Sequence, residues 1–184
     1  MPLWTTIKEK RYWFWVILVY VTILSTLFIG QPLANELRDQ NVQAIFFLLG
    51  MALVASAVII HGIVNKPIKT EYAILFGIIA VYIMFFFRLG APERSHLIEY
   101  SVLAILIHKA FKERFVLEHK IFKPAFYALF VGIGMGALDE SIQLLVPHRY
   151  FDPLDIIFNC LAVTMAILAS LLLQWLHNRL KKNH

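Results

Sequence analysis

A single cysteine, Cys160, stands in 184 residues, inside an apolar run and with no second thiol to pair with. That excludes a disulfide framework and any metal site built on several cysteines. Charge is scarce too: Asp, Glu, Lys and Arg make up 16% of the chain, against 60% hydrophobic residues and a mean hydropathy of +0.70. A soluble domain of this length has too little interior to hide so much apolar surface, so the composition is that of a membrane protein. Hydrolase signatures are also missing. The chain has no Gly-x-Ser-x-Gly setting for a serine nucleophile and no Pro-Ser-Gly-His of lipid phosphatases. Asp139-Glu140 is only faintly like the Glu-Glu pair of intramembrane metalloproteases, and their later histidine motifs are lacking. No internal repeat, low-complexity tract or long linker divides the chain, and residues 1–184 read as one transmembrane domain.

What is present is a series of apolar runs. A bilayer core of about 30 Å needs roughly 20 apolar residues in a helix. Six runs qualify, at 13–30, 42–64, 72–89, 95–110, 124–146 and 154–176. The fourth is short and carries His96 and Glu99; as a re-entrant segment it would leave five spans and move the C-terminus to the other side. The first follows Lys8, Lys10 and Arg11 like a signal peptide, but it is too long for one and "QPLANE" is a poor cleavage site, so it reads as an uncleaved span.

The formal charge of +5 would suggest nucleic acid in a soluble protein, but here the basic residues sit between apolar runs and act as topology signals. No nucleic-acid partner is expected. With six spans and both termini inside, 13 of the 17 Lys and Arg residues are cytoplasmic, and only Arg38, Arg88, Arg94 and Arg149 lie outside. Trp4, Trp13, Trp15 and Trp175 all fall near the inner boundary, where an indole keeps its N–H wet. The expected fold is all-α, a polytopic protein in contact with membrane lipids. The basic tail "LHNRLKKNH" suits anionic lipid. His61, His108, His119, His177 and His184 are expected at interfaces or in the cytoplasm.

The polar residues gather elsewhere. In the fifth run Gly132, Gly136, Asp139, Glu140, Gln143 and Pro147 recur every three or four residues and share one helical face. Gly132 and Gly136 form a GxxxG pair that permits close approach of another backbone. The sixth run offers a partner stripe of Asp155, Asn159, Ala162, Ala166 and Ala169. Counting outward from the reversal near Tyr150 sets Asn159 level with Asp139 and Glu140, and Ala162 to Ala166 opposite the glycines. Asp139 and Glu140 lie about 10–12 Å below the outer end of their helix, where a carboxylate costs about 2.5–3.5 kcal/mol unless it faces protein or water. The first turns of the fourth run, "APERSHLIEYS", bring Arg94, His96, Glu99 and Tyr100 to the same outer third.

These residues make the chain resemble the VanZ-like family of small bacterial membrane proteins. One block is Glu93-Arg94-x-His96-x-x-Glu99-Tyr100. The other runs Asp139-Glu140-x-x-Gln143, Pro147-x-Arg149, Asp152-x-x-Asp155 and Asn159, so the likeness covers about residues 93–160. The family pattern places glycines where this chain has Ser101 and Ala162, both small. The resemblance implies a place in the bacterial cytoplasmic membrane and a role in envelope protection, with lowered sensitivity to lipoglycopeptides such as teicoplanin, and it implies no agreed reaction.

Three chemistries fit the residues themselves. An outward polar cavity of Arg94, His96, Glu99, Tyr100, Asp139, Glu140, Gln143, Arg149, Asp155 and Asn159 can bind the head group of a lipid-linked envelope precursor, or a lipoglycopeptide. Alternatively, Asp139 or Glu140 acts as general acid and His96 as base, held by Glu99, while Arg94 or Arg149 clamps a phosphate. The third reading is a network that satisfies itself, with Asn159 on Asp139, His96 on Glu99, and Arg149 on Asp152 or Asp155. Asp152 also suits a helix N-cap. No cofactor or metal is expected, although His96, Glu99 and Glu140 make a conceivable ligand set.

Overall fold

A computed structural model describes residues 6–36, 69–88, 91–118, 121–146 and 151–182, and within these the chain is helical, with no strand. The helices are α1 (Ile7–Glu36), α2 (Lys69–Arg88), α3 (Ala91–Arg114), α4 (Phe122–Gln143) and α5 (Pro153–Lys182), with a single 3₁₀ turn at Val116–Glu118. The expected span at 42–64 lies outside the described residues, as do Pro147, Arg149, His61, His119 and His184.

Local chemistry sets the helix starts. The Thr6 hydroxyl accepts the Glu9 N–H at 3.0 Å, satisfying one of the donors left over at the start of α1. Pro124 is the third residue of α4, in the first turn, where a missing N–H costs nothing. Pro153 opens α5 while the Asp152 carboxylate accepts the Leu154 N–H at 2.8 Å, so Asp152 serves as the cap its position suggested. At the other end of α4 the chain tightens: Leu145 N–H donates to the Ile142 carbonyl and Val146 N–H to that of Gln143, both one residue short of α-helical spacing. The helix therefore ends at Gln143, before the expected 146.

The segment that looked weakest as a span is the centre of the bundle. α3 is a continuous helix of 24 residues that packs against α1, α4 and α5. Leu97, Tyr100, Leu103, Ala104 and Ile107 lie in the core on one side of it. Two of the polar residues that interrupt its apolar sequence, Ser101 and His108, face other helices. Ser101 donates to the Ala162 carbonyl at 3.5 Å and shares a hydrogen bond with the Tyr82 hydroxyl of α2 at 3.2 Å. His108, expected at an interface, is fully buried, with Nδ1 3.0 Å from the Ser170 hydroxyl.

α4 and α5 close on their small residues, but in a different register from the expected one. A Cβ on Gly136 would lie 2.9 Å from that of Asn159, and one on Gly132 would lie 2.9 Å from Val163 Cγ1. Asn159 thus faces Gly136, about a turn deeper than Asp139 and Glu140. The count from Tyr150 assumed that both helices reach the turn equally, whereas α4 stops at Gln143 and α5 starts at Pro153.

The antiparallel packing sorts the polar chemistry by end. At one end Glu9, fully buried, meets Arg114 at 3.0 Å, Thr6 donates to Glu113, and Lys123 pairs with Glu118. Trp13 stacks edge-on against Phe111 there, and Arg179 lies over Trp175 on the same side of the bundle. The opposite end gathers the start of α3, the end of α4 and the start of α5. Between the ends the outer faces are apolar, with Phe14, Ile17, Phe126, Phe130 and Leu168 exposed. α4 and residues Pro153–Arg179 of α5 are long and apolar enough to cross a membrane, and no more than a third of that apolar length is buried. A core helix of a soluble protein would be covered on most sides.

Candidate functional site

The cluster at the second end is built from three helices. The Tyr100 hydroxyl of α3 donates to Asp139 Oδ2 of α4 at 2.8 Å, and the whole Tyr100 side chain is buried. Its ring lies 3.4 Å from where a Cβ on Gly136 would stand, so the absence of a side chain at Gly136 makes room for both Tyr100 and Asn159. One turn earlier on α3, the His96 ring stacks on Tyr100 with centroids 6.3 Å apart. That orientation points its Nε2 toward Asp155 Oδ2 of α5, at 3.7 Å. His96 therefore faces Asp155 rather than Glu99, although Glu99 is three residues along its own helix.

Asp139 and Glu140 are neighbours in sequence but have different supports. Asp139 is held across the helix interface by Tyr100, while Glu140 Oε1 accepts a 2.7 Å bond from Gln143 Nε2 of the same helix. The Asp152 backbone N–H also approaches the Glu140 carboxylate. Glu140 Oε2 is buried and has no hydrogen-bond partner, and the same holds for His96 Nδ1. One donor atom each from His96, Asp139 and Glu140 lies within 4.8 Å of the others.

Asn159 is fully buried, and neither its oxygen nor its nitrogen finds a partner. The expected bond to Asp139 is not formed because Asn159 sits opposite Gly136, a turn below the carboxylate. Glu99 is half-buried, within electrostatic range of Asp139, and has no hydrogen-bond partner among the described residues. Arg149 lies outside the described residues, and Arg94 is described in its backbone alone. Of the ten expected site residues, His96, Tyr100, Asp139, Glu140, Gln143 and Asp155 are brought into contact.

Sequence reasoning missed the roles of Ser101 and Ala162. They stand where the resembled pattern has glycines, and they meet each other: the Ser101 hydroxyl reaches the Ala162 carbonyl. The signal was legible in part, since two small residues at matched depth on facing helices imply a close approach. Compared with protein-family descriptions, curated proteins and solved structures, the chain matches none.

The arrangement has three chemical capacities. It holds two carboxylates and an imidazole in one place, it leaves several of their acceptor and donor positions open, and it reaches the surface through one edge. His96 and Asp155, whose side chains are 15% and 21% exposed, form that edge. Tyr100, Asp139, Glu140, Gln143 and Asn159 form the buried floor.

Proposed function

We propose that this chain is a VanZ-like multi-pass protein of the bacterial cytoplasmic membrane that binds the polar part of an amphiphilic envelope ligand. In this reading six spans cross the bilayer with both termini inside. The cluster of α3, α4 and α5 then opens outward near the head-group region. The ligand is a lipid-linked envelope precursor or a lipoglycopeptide, and its binding underlies reduced sensitivity to lipoglycopeptides.

The carrying observation is the unfilled hydrogen-bonding capacity of the floor. Asn159 Oδ1 and Nδ2, Glu140 Oε2 and His96 Nδ1 are buried without partners, beside the Tyr100–Asp139 and Gln143–Glu140 hydrogen bonds. Leaving such groups unsatisfied costs about 1–3 kcal/mol each. A network that served packing alone would gain by replacing them with apolar side chains. The exposed edge at His96 and Asp155 supplies an approach for a head group, and the apolar faces beside it suit an acyl or prenyl chain.

A second reading is favoured by the convergence of His96, Asp139 and Glu140 within 4.8 Å. These groups are close enough to act on one reacting bond as acid and base in an intramembrane hydrolase or transferase. One assay separates the readings: purified protein in lipid nanodiscs is given a panel of lipid-linked precursors and lipid phosphates, and binding and turnover are measured together. Saturable binding without turnover, weakened at least tenfold in Glu140→Gln, is the expected result. Turnover abolished in Glu140→Gln replaces it with the enzymatic reading, and neither binding nor turnover leaves only a packing role.

A further inference from the structure

We propose that His96, Asp139 and Glu140 form a binding site for one divalent transition-metal cation. The inference deepens the ligand-binding reading of the same cluster and rests on it for its purpose, because a cation there would be the anchor for an anionic head group.

The geometry comes first. The three donor atoms, from α3 and α4, all lie within 4.8 Å of one another. Around an ion with bonds of about 2.1 Å, tetrahedral donors stand about 3.4 Å apart, so side-chain torsions of modest size close the set. The helices that carry the donors are already locked together, since Tyr100 donates to Asp139 across them and its ring lies 3.4 Å from where a Cβ on Gly136 would stand.

The second observation concerns atoms with nothing to do. Glu140 is fully buried, and its Oε1 is occupied by Gln143 while Oε2 has no partner. Of the two His96 ring nitrogens, Nε2 faces Asp155 and Nδ1 has none. The ring thus keeps one nitrogen with no competing hydrogen bond. Each of the three ligands also has an outer support: Tyr100 donates to Asp139, Gln143 donates to Glu140, and the Asp155 carboxylate faces the His96 ring. A carboxylate behind a ligating histidine, and hydrogen-bond donors behind ligating carboxylates, are the usual outer shell of metal sites.

Donor type narrows the ion. One imidazole and two carboxylates, with no thiolate, suit Zn²⁺ or Mn²⁺ better than Ca²⁺ or Mg²⁺, which prefer all-oxygen cages. Three protein ligands leave a fourth position for water or for a phosphate oxygen. The exposed edge at His96 gives that position its access.

The test uses the full-length protein in detergent, stripped with EDTA and titrated with ZnCl₂ or MnCl₂, with bound metal counted by mass spectrometry and affinity read by calorimetry. One equivalent is expected, with affinity at least tenfold lower in His96→Ala and in Glu140→Gln and unchanged in His177→Ala. Asp155→Asn, which leaves all three ligands in place, is expected to weaken binding about 10–100-fold. Cobalt-loaded protein supplies a signal independent of stability, its visible absorption changing in His96→Ala. Retention below one equivalent, equal affinity in wild type and variants, or equal displacement by Mg²⁺ or Ca²⁺ overturns the proposal. The lipid-binding assay is then repeated on stripped protein. Undiminished head-group binding without metal overturns the cation's role as the head-group anchor and leaves the ligand reading standing. A stoichiometric metal without head-group binding overturns the ligand reading alone.

Discussion

Tyr100 does more than any other single side chain to hold the cluster together. It stacks on His96, edges Gly136 and donates to Asp139, all from a position with no solvent exposure. Replacing it by phenylalanine keeps the ring and removes only the donor to a buried carboxylate. Such a loss costs about 1–3 kcal/mol. Tyr100→Phe is therefore expected to lower the melting temperature of the purified protein, measured by tryptophan fluorescence, and to weaken ligand binding while leaving membrane insertion intact. Tyr127→Phe, an exposed tyrosine on the next helix, is the control and is expected to change neither. His96 and Glu99 show how far residue-scale reading reaches. Their spacing of three places them on one helix face, but the ring turned toward Asp155 because the larger Tyr100 surface stacks beneath it.

At the scale of elements, the pairing of α4 with α5 depends on two glycines and not on a third. Cβ atoms on Gly132 and Gly136 would stand 2.9 Å from Val163 and Asn159, whereas one on Gly134 meets nothing within 4 Å. The helices must separate to accept alanine at the first two positions, since the Asn159 obstacle is its own Cβ and Val163 is stiff at χ1. Gly132→Ala and Gly136→Ala are expected to lower thermal stability, the second also disturbing Tyr100 and weakening ligand binding. Gly134→Ala is expected to be neutral or to raise stability by up to about 1 kcal/mol through helix propensity. Equal effects of all three would overturn the packing account. The close approach also explains why Ser101 and Ala162 are small: they touch where α3 meets α5, and the serine hydroxyl caps a carbonyl already bonded within its helix.

For the whole molecule, the sorting of charge by end bears on the membrane orientation proposed above. The pairs Glu9 with Arg114 and Lys123 with Glu118 stand at the end where α1 begins, while the carboxylate cluster stands at the other. Positive charge near short loops favours the cytoplasmic side. In a Cys160→Ala background, single cysteines at Arg38 and Arg149 are expected to react with an impermeant maleimide added to intact cells. Cysteines at Glu118 and His184 are expected to stay unlabelled until the membrane is opened. A re-entrant fourth segment predicts the reverse at 118, 149 and 184, so the experiment decides between five and six spans.

The sequence by itself determined that the described chain is helical and where two of its helices, near Pro124 and Pro153, begin. The apolar runs called for long helices, Pro124, Asp152 and Pro153 each act within one turn of their own backbone, and the glycine pair marked a close helix contact. It also placed the polar residues at one end, because antiparallel helices bring the start of α3, the end of α4 and the start of α5 together whatever their rotation. Partner choice was decided only by the tertiary structure. Asn159 opposite Gly136, His96 toward Asp155 and His108 against Ser170 depend on the rotation and register of helices about their axes. A shift of one turn is about 5.4 Å, more than the length of any hydrogen bond. Local sequence does not fix that quantity; the packing of Tyr100, Gly132, Gly136 and Val163 does.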